Sequence, residues 1–277
     1  MKLRRSILVS FFIGILTISL SPVRALENQE TALKPSAKAG YHIYAHSHND
    51  YEHERPLLDA LDNRCYSVEA DIWLVDGEIL VSHNEGKYKG GLKELYLDPL
   101  QKLVDQKGFV FGDGETVYLW LDIKDARPEL RPVLHELLNR YSMFTVYTDK
   151  EIKAGPVTAI LTGDAESKTR FVEQFPVRKF CRDSNDYKSG DPKADNRWTW
   201  YAPNWRNYIQ WNGVGEIAPE QYAKLVEMVN DVHAKGRKIR FWSVPDKPSF
   251  WKLALETGID LINTDNLTDL NRFLEQQ

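Results

Sequence analysis

The chain reads as α/β, a single-domain (β/α)8 TIM barrel, and three observations predict it. Short apolar strands alternate with amphipathic helices from Tyr41 to the C-terminus. The strand count comes to about eight, and 277 residues suffice for one such barrel. Histidines and carboxylates gather at the C-terminal ends of the strands, the face where this architecture does chemistry. An open doubly wound sheet is the competing architecture. It has little support, since no Gly-x-Gly-x-x-Gly follows the first strand and no phosphate-loop lysine motif occurs.

The N-terminus stands apart. MKLRR is followed by an apolar run of 14 residues, Ile7 to Leu20, and by small residues at Val23 and Ala25. This pattern predicts a signal peptide over 1–25 and export to the periplasm or exterior; the run is shorter than the roughly 20 residues that spanning needs. Residues 26–39 are polar, contain Pro35 and read as a linker, leaving 40–277 as the barrel domain. Losing Lys2, Arg4, Arg5 and Arg24 would take four positive charges away, from a formal −4 to −8. So acidic a chain, without a lysine or arginine block, excludes general nucleic-acid binding. Cys65 and Cys181 are the only cysteines, and an oxidising compartment would permit one bridge between them.

The elements follow in order. YHIYA is the first strand, and Arg55-Pro56 starts the helix PLLDALDN, proline being favoured in a first turn. YSVEADIWLV is the second strand; Asp76-Gly77 forms a tight turn and EILVS returns. DPLQKLVDQK is a helix, TVYLWLDI a strand, PELRPVLHELLNRY a helix and MFTVYT a strand. VTAILTG, the helix AESKTRFVEQF and the short strand VRKFC come next. From Asp183 to Gly215 the periodicity fails in a section rich in Asp, Asn, Trp and Tyr, and so long a connection is more often functional than idle. The helix PEQYAKLVEMVNDVHAKG, capped by Gly236, precedes the strand KIRFWSV, the helix PSFWKLALETG, the strand GIDLINT and the closing helix LTDLNRFLEQ.

Glu69 and Asp71 lie two apart in a strand and so share a face. Two carboxylates there repel unless something positive joins them, and oxygen ligation favours magnesium or calcium over zinc. Asp122, at the matching end of another strand, offers a third oxygen, and Asn49 a neutral one. Pairing with arginines is the structural alternative. His46, His48 and His83 cluster at two strand ends and suit a general acid–base pair, with zinc ligation as the competing use. Lys124 shares the face of Asp122 and would meet developing negative charge or form a salt bridge; Arg55 is a further phosphate contact or a helix start.

From Ala45 to Lys124, and again in IRFWSV and GIDLINTDN, the chain resembles the PLC-like phosphodiesterase superfamily. That superfamily holds glycerophosphodiester phosphodiesterases, phosphatidylinositol-specific phospholipases C and the spider-venom type phospholipase D. The closest likeness is to their bacterial and fungal relatives with an AHSHNDY opening. The resemblance implies a metal-dependent phosphoric diester hydrolase acting on a glycerophosphodiester- or phosphoinositide-like substrate. It implies one divalent cation, Mg2+ or Ca2+, held by Glu69, Asp71 and Asp122, with His83 as second catalytic histidine and Lys124 beside the metal. Trp242 resembles the aromatic that lines the pocket. Ser47-His48-Asn49 is similar to the phospholipase C pattern, with His48 catalytic and Asn49 a ligand, whereas Ala45-His46 resembles the glycerophosphodiesterase opening; both histidines stay open. The partner is then a small-molecule or lipid head-group phosphodiester, with at most transient contact with a membrane surface, and no oligomeric state is implied. Two rivals remain: a glycoside hydrolase using Asp122 and Glu216, and a non-catalytic binder of a phosphorylated ligand.

Overall fold

The computed structural model describes residues 42–277, so the predicted leader and linker lie outside the described residues. β1 (His42–Ser47) runs into a 3-10 turn, Asp50–Glu52, then α1 (Leu58–Asp62) and β2 (Cys65–Val75). A hairpin partner β3 (Glu78–Val81) and the short β4 (Gly90–Gly91) precede a π-helical turn over Lys93–Leu97 and α2 (Asp98–Lys107). β5 (Val117–Ile123) and α3 (Leu130–Asn139) follow, then a small separate hairpin, β6 (Val146–Tyr147) with β7 (Ile152–Lys153). β8 (Val157–Gly163), α4 (Ala165–Gln174), β9 (Phe180–Ser184) and β10 (Trp198–Tyr201) come next, with no helix between the last two. α5 (Trp205–Tyr208), α6 (Pro219–Ala234), β11 (Lys238–Ile239), α7 (Pro248–Thr257), β12 (Ile262–Thr264) and α8 (Leu267–Leu274) complete the chain.

Parallel pairing runs β11-β10-β9-β8-β5-β2-β1-β12. A parallel bridge between Arg240 and Leu261 joins the two ends, and the Asp260 N–H donates to the Ile239 carbonyl at 3.0 Å. Eight strands in chain order thus close into the expected barrel. The eight are not the predicted eight. MFTVYT belongs to the β6–β7 hairpin outside the barrel sheet, and WTWY, inside the section read as aperiodic, supplies β10.

Alternation along the strands divides the core in two. Leu119, Leu121, Ala159, Leu161 and Phe180 belong to the large cluster packed against the helices. Their neighbours Trp120, Ile160 and Cys181 join Trp200 and Leu261 in a second cluster, which period-two alternation puts inside the barrel. The helices meet the outer layer through apolar residues three or four apart: Leu130, Leu134 and Leu138 in α3, and Leu225, Val229 and Val232 in α6. Cys65 and Cys181 are both buried and unpaired, so the permitted bridge does not form.

At the base of α6, His233 Nε2 meets Asp260 Oδ2 at 2.9 Å, and the same oxygen accepts the Ile239 N–H at 2.8 Å. This contact ties the helix end to the seventh and eighth barrel strands. The hydrogen bond to Asp260 raises the His233 pKa above 6.5, against the opposing effect of burial. A raised folded-state pKa makes the contribution full below the unfolded value and lost as pH rises through the folded one. The urea midpoint should therefore fall more between pH 6 and pH 9 in the wild type than in His233→Gln; parallel profiles would show that the contact carries no linkage.

Candidate active site

The register of β2 against β5 makes the site. Asp71 pairs with Asp122, and Glu69 with Trp120, so the inward faces of both strands carry carboxylates toward the mouth. Glu69, Asp71 and Asp122 offer ligand atoms within 4.8 Å of one another. The β2–β3 hairpin adds a histidine. Asp76 and Gly77 both take positive φ, 48° and 87°, closing a two-residue turn that pairs Ile72 with Val81. The strand returns beside Asp71, where the Ser82 N–H donates to the Asp71 carbonyl at 3.1 Å. His83 Nδ1 then lies 3.0 Å from Asp71 Oδ2, with the ring still half exposed.

The two histidines of the first strand part company. His46 is fully buried inside the barrel, its Nδ1 2.7 Å from Ser67 Oγ and its Nε2 3.0 Å from Glu69 Oε2. Burial, with Arg240 nearby, pushes its pKa down to about 3. A neutral ring facing a carboxylate must carry its proton on Nε2, so Nδ1 accepts from the Ser67 hydroxyl. Both ring nitrogens of His46 are thus engaged, and the side chain is shielded from solvent. His48 sits on the rim, with Nδ1 2.9 Å from Asp265 Oδ1 and Nε2 4.0 Å from Glu69 Oε1. Burial opposes its charged form, but Asp265 and Glu69 outweigh it and raise the pKa.

Positive groups are shared out among the acids. Lys124 Nζ lies 2.8 Å from Asp122 Oδ2 and 3.1 Å from Asp71 Oδ2. Arg240 Nη2 lies 2.9 Å from Glu69 Oε2. Burial alone would raise the Glu69 pKa, but Arg240 and His46 hold it below the usual carboxylate range. Asp122 goes the other way: burial, then Glu69 and Asp71, push it up to about 6. Asp71 Oδ1 and Asp122 Oδ1 are buried with no hydrogen-bond partner among the described residues. Native structures rarely leave such atoms unsatisfied. An oxygen-only donor set with two orphaned carboxylate oxygens fits a hard divalent cation.

The remaining predicted residues sort as follows. Asn49 takes a left-handed conformation at φ 47°, and its Oδ1 accepts from the Tyr51 hydroxyl at 2.8 Å. The Arg55 guanidinium lies 2.7 Å from Asp59 and 2.6 Å from Asp62, pairing with two acids of α1. Trp242 follows the seventh barrel strand, its backbone pinned to Pro203 and Trp205 and its side chain 42% exposed. Glu216 is exposed on the loop before α6, while Asp122 is committed to Lys124, so the acid pair of a glycoside hydrolase finds no support. Sequence reasoning missed Arg240, Asp265 and Gly163. Arginine between Ile239 and Phe241 was the available signal, since a charge in an apolar strand needs a buried partner.

Residues 38–180 match the family described as AIM6-like phosphodiesterase domain, and residues 238–268 match the glycerophosphoryl diester phosphodiesterase family. The chain is similar to Altered inheritance of mitochondria protein 6 of Eremothecium gossypii, 28% identical over 269 residues, 82% of this chain and 68% of the relative. It is 25% identical over 319 residues to the homolog of that protein in Arthroderma benhamiae, covering 96% of this chain and 98% of the relative. The protein of the same name in Saccharomyces cerevisiae is 26% identical over 268 residues, 80% and 68% of the two chains. These names overturn the expected export, since they refer to mitochondrial inheritance and not to a periplasmic or secreted protein. No helix among the described residues is long and apolar enough to cross a membrane.

Gly163 closes β8 at φ 85°, and a Cβ there would overlap Asp122 Oδ1 and meet the Ile123 backbone at 2.8 Å. Gly163→Ala should lower stability by about 1–3 kcal/mol through backbone strain and displacement. It should also weaken cation binding by moving Asp122. Urea denaturation and calorimetric titration with Mg2+ read the two effects; unchanged cation affinity would show that Asp122 needs no such clearance.

Proposed function

Because this chain belongs to the AIM6-like phosphodiesterase domain family, we propose that it is a cation-dependent phosphoric diester hydrolase working by histidine acid–base catalysis. The carrying observation is the pair of orphaned oxygens on Asp71 and Asp122, in an acidic cluster that His83 meets at Asp71 and His48 approaches at Glu69. The substrate class is a glycerophosphodiester- or phosphoinositide-like diester, supported by the likeness of residues 238–268 to the glycerophosphoryl diester phosphodiesterase family. Trp242, at the rim, offers a face for the head group.

Glu69, Asp71 and Asp122 would hold one divalent cation, Mg2+ or Ca2+, with Asn49 beside them. Once bound, the cation supplies charge neutralisation for phosphoryl oxygens. Lys124 adds a second positive group at the same place. His48 takes the proton of the nucleophile at Nε2, and Asp265 behind Nδ1 stabilises the imidazolium that results. The nucleophile is water or a neighbouring hydroxyl of the substrate. His83, held by Asp71 through Nδ1, returns a proton to the leaving oxygen.

Hydrolysis of bis(p-nitrophenyl) phosphate by the purified protein should require Mg2+ or Ca2+ and stop with EDTA. His83→Ala should lose activity by about 10²–10⁴-fold, the worth of one general acid. Turnover that survives both EDTA and the substitution would refute the mechanism. Tight binding of a diester without turnover would assign the site to a binder.

A further inference from the structure

We propose that Arg240 is a positioning residue for the cation site: it holds Glu69 by one oxygen and presents the other to the cluster. The inference rests on the reading of Glu69, Asp71 and Asp122 as cation ligands, and deepens it. Arg240 is 2% exposed, beside the apolar inner cluster of Trp120, Ile160, Cys181 and Trp200. Its guanidinium spans three strands. Nη2 meets Glu69 Oε2 of β2 at 2.9 Å, Nη1 donates to Asn263 Oδ1 of β12 at 2.8 Å, and Cζ lies 4.1 Å from the ring centroid of Trp120 on β5.

Such a bracket uses what arginine alone offers: a planar fork with fixed donor directions and a face that stacks on an aromatic ring. Glu69 Oε2 receives two donors, Arg240 Nη2 and His46 Nε2, so turning the carboxylate would break both. Oε1 is then the oxygen left for the cluster side, 4.0 Å from His48 Nε2. Asp71 and Asp122 are held differently: one Lys124 ammonium serves both, and the half-exposed His83 adds a second contact to Asp71.

Charge points the same way. Glu69, Asp71 and Asp122 against Arg240 and Lys124 leave one net negative charge, which a divalent cation turns into one positive. That matches a phosphodiester, a monoanion, better than a doubly charged monoester. Removing Arg240 would bring the loaded site to neutrality and forfeit the match.

The test is cation affinity, measured by calorimetric titration of the full chain with Mg2+ and Ca2+, with thermal unfolding recorded alongside. Arg240→Met keeps the apolar stem and removes the fork; affinity should fall about 10–100-fold, as for other groups that orient metal ligands. Arg240→Lys keeps the charge but has no planar fork to serve Glu69 and Asn263 together. It should lose about tenfold, within the same range, while still unfolding cooperatively. It decides the matter if the methionine variant does not fold. Wild-type affinity in either folded variant would overturn the positioning role and leave the cation site standing. A wild type that binds neither cation would overturn both.

Discussion

Mutual repulsion among three carboxylates is the constraint on which the barrel mouth depends. Glu69, Asp71 and Asp122 come within 4.8 Å of one another, and two like charges about 4 Å apart repel by about 4 kcal/mol at a protein's effective dielectric. Burial adds to the cost, since unpaired buried charge is expensive. The surrounding side chains answer acid by acid. Arg240 and His46 take one oxygen of Glu69, and Lys124 and His83 take one oxygen of Asp71. Lys124 also takes one of Asp122. Among the described residues, half of each aspartate is satisfied and half is not.

Backbone register makes this arrangement reproducible. The pairing of Asp71 with Asp122 across β2 and β5 is a property of the sheet, not of the side chains. Gly163 continues the logic on the next strand by leaving room for Asp122. On the far side, closure through Arg240 and Leu261 carries the Arg240 guanidinium across the interior to Glu69. Outside the strands, Asp246 braces the last loop: its Oδ2 accepts from the Thr264 hydroxyl and the Asp265 N–H, both at 2.9 Å. That brace fixes the backbone from which Asp265 reaches His48.

Much of this was legible in the sequence because strands repeat every two residues. Glu69 with Asp71, and Asp122 with Lys124, had to share faces, and a turn of two residues had to return His83 toward them. What sequence could not show is depth. His46 and His48 also lie two apart, yet one is sealed in the core and the other sits on the rim, because β1 ends at Ser47 between them. The acidic partners of Arg55 were no easier to foresee, since they lie four and seven residues on in a helix shorter than expected. β10 was hidden because its WTWY run lacks polar alternation and no helix precedes it. Arg240 needed long-range knowledge: its partners lie on strands far away in the chain.

The two-residue turn at Asp76 and Gly77 also decides where this barrel can tolerate evolutionary change. One extra residue in that hairpin would shift the register and turn β3 over, since successive side chains face opposite ways. His83 would leave Asp71, so chain length there is frozen by the spacing of one histidine from one carboxylate. Past Asn185, whose amide holds the Gly163 carbonyl at 2.9 Å, the stretch 186–197 crosses to β10 without a helix. Insertions and deletions can accumulate in it without disturbing the carboxylates, making it the natural place for homologues to diverge in size.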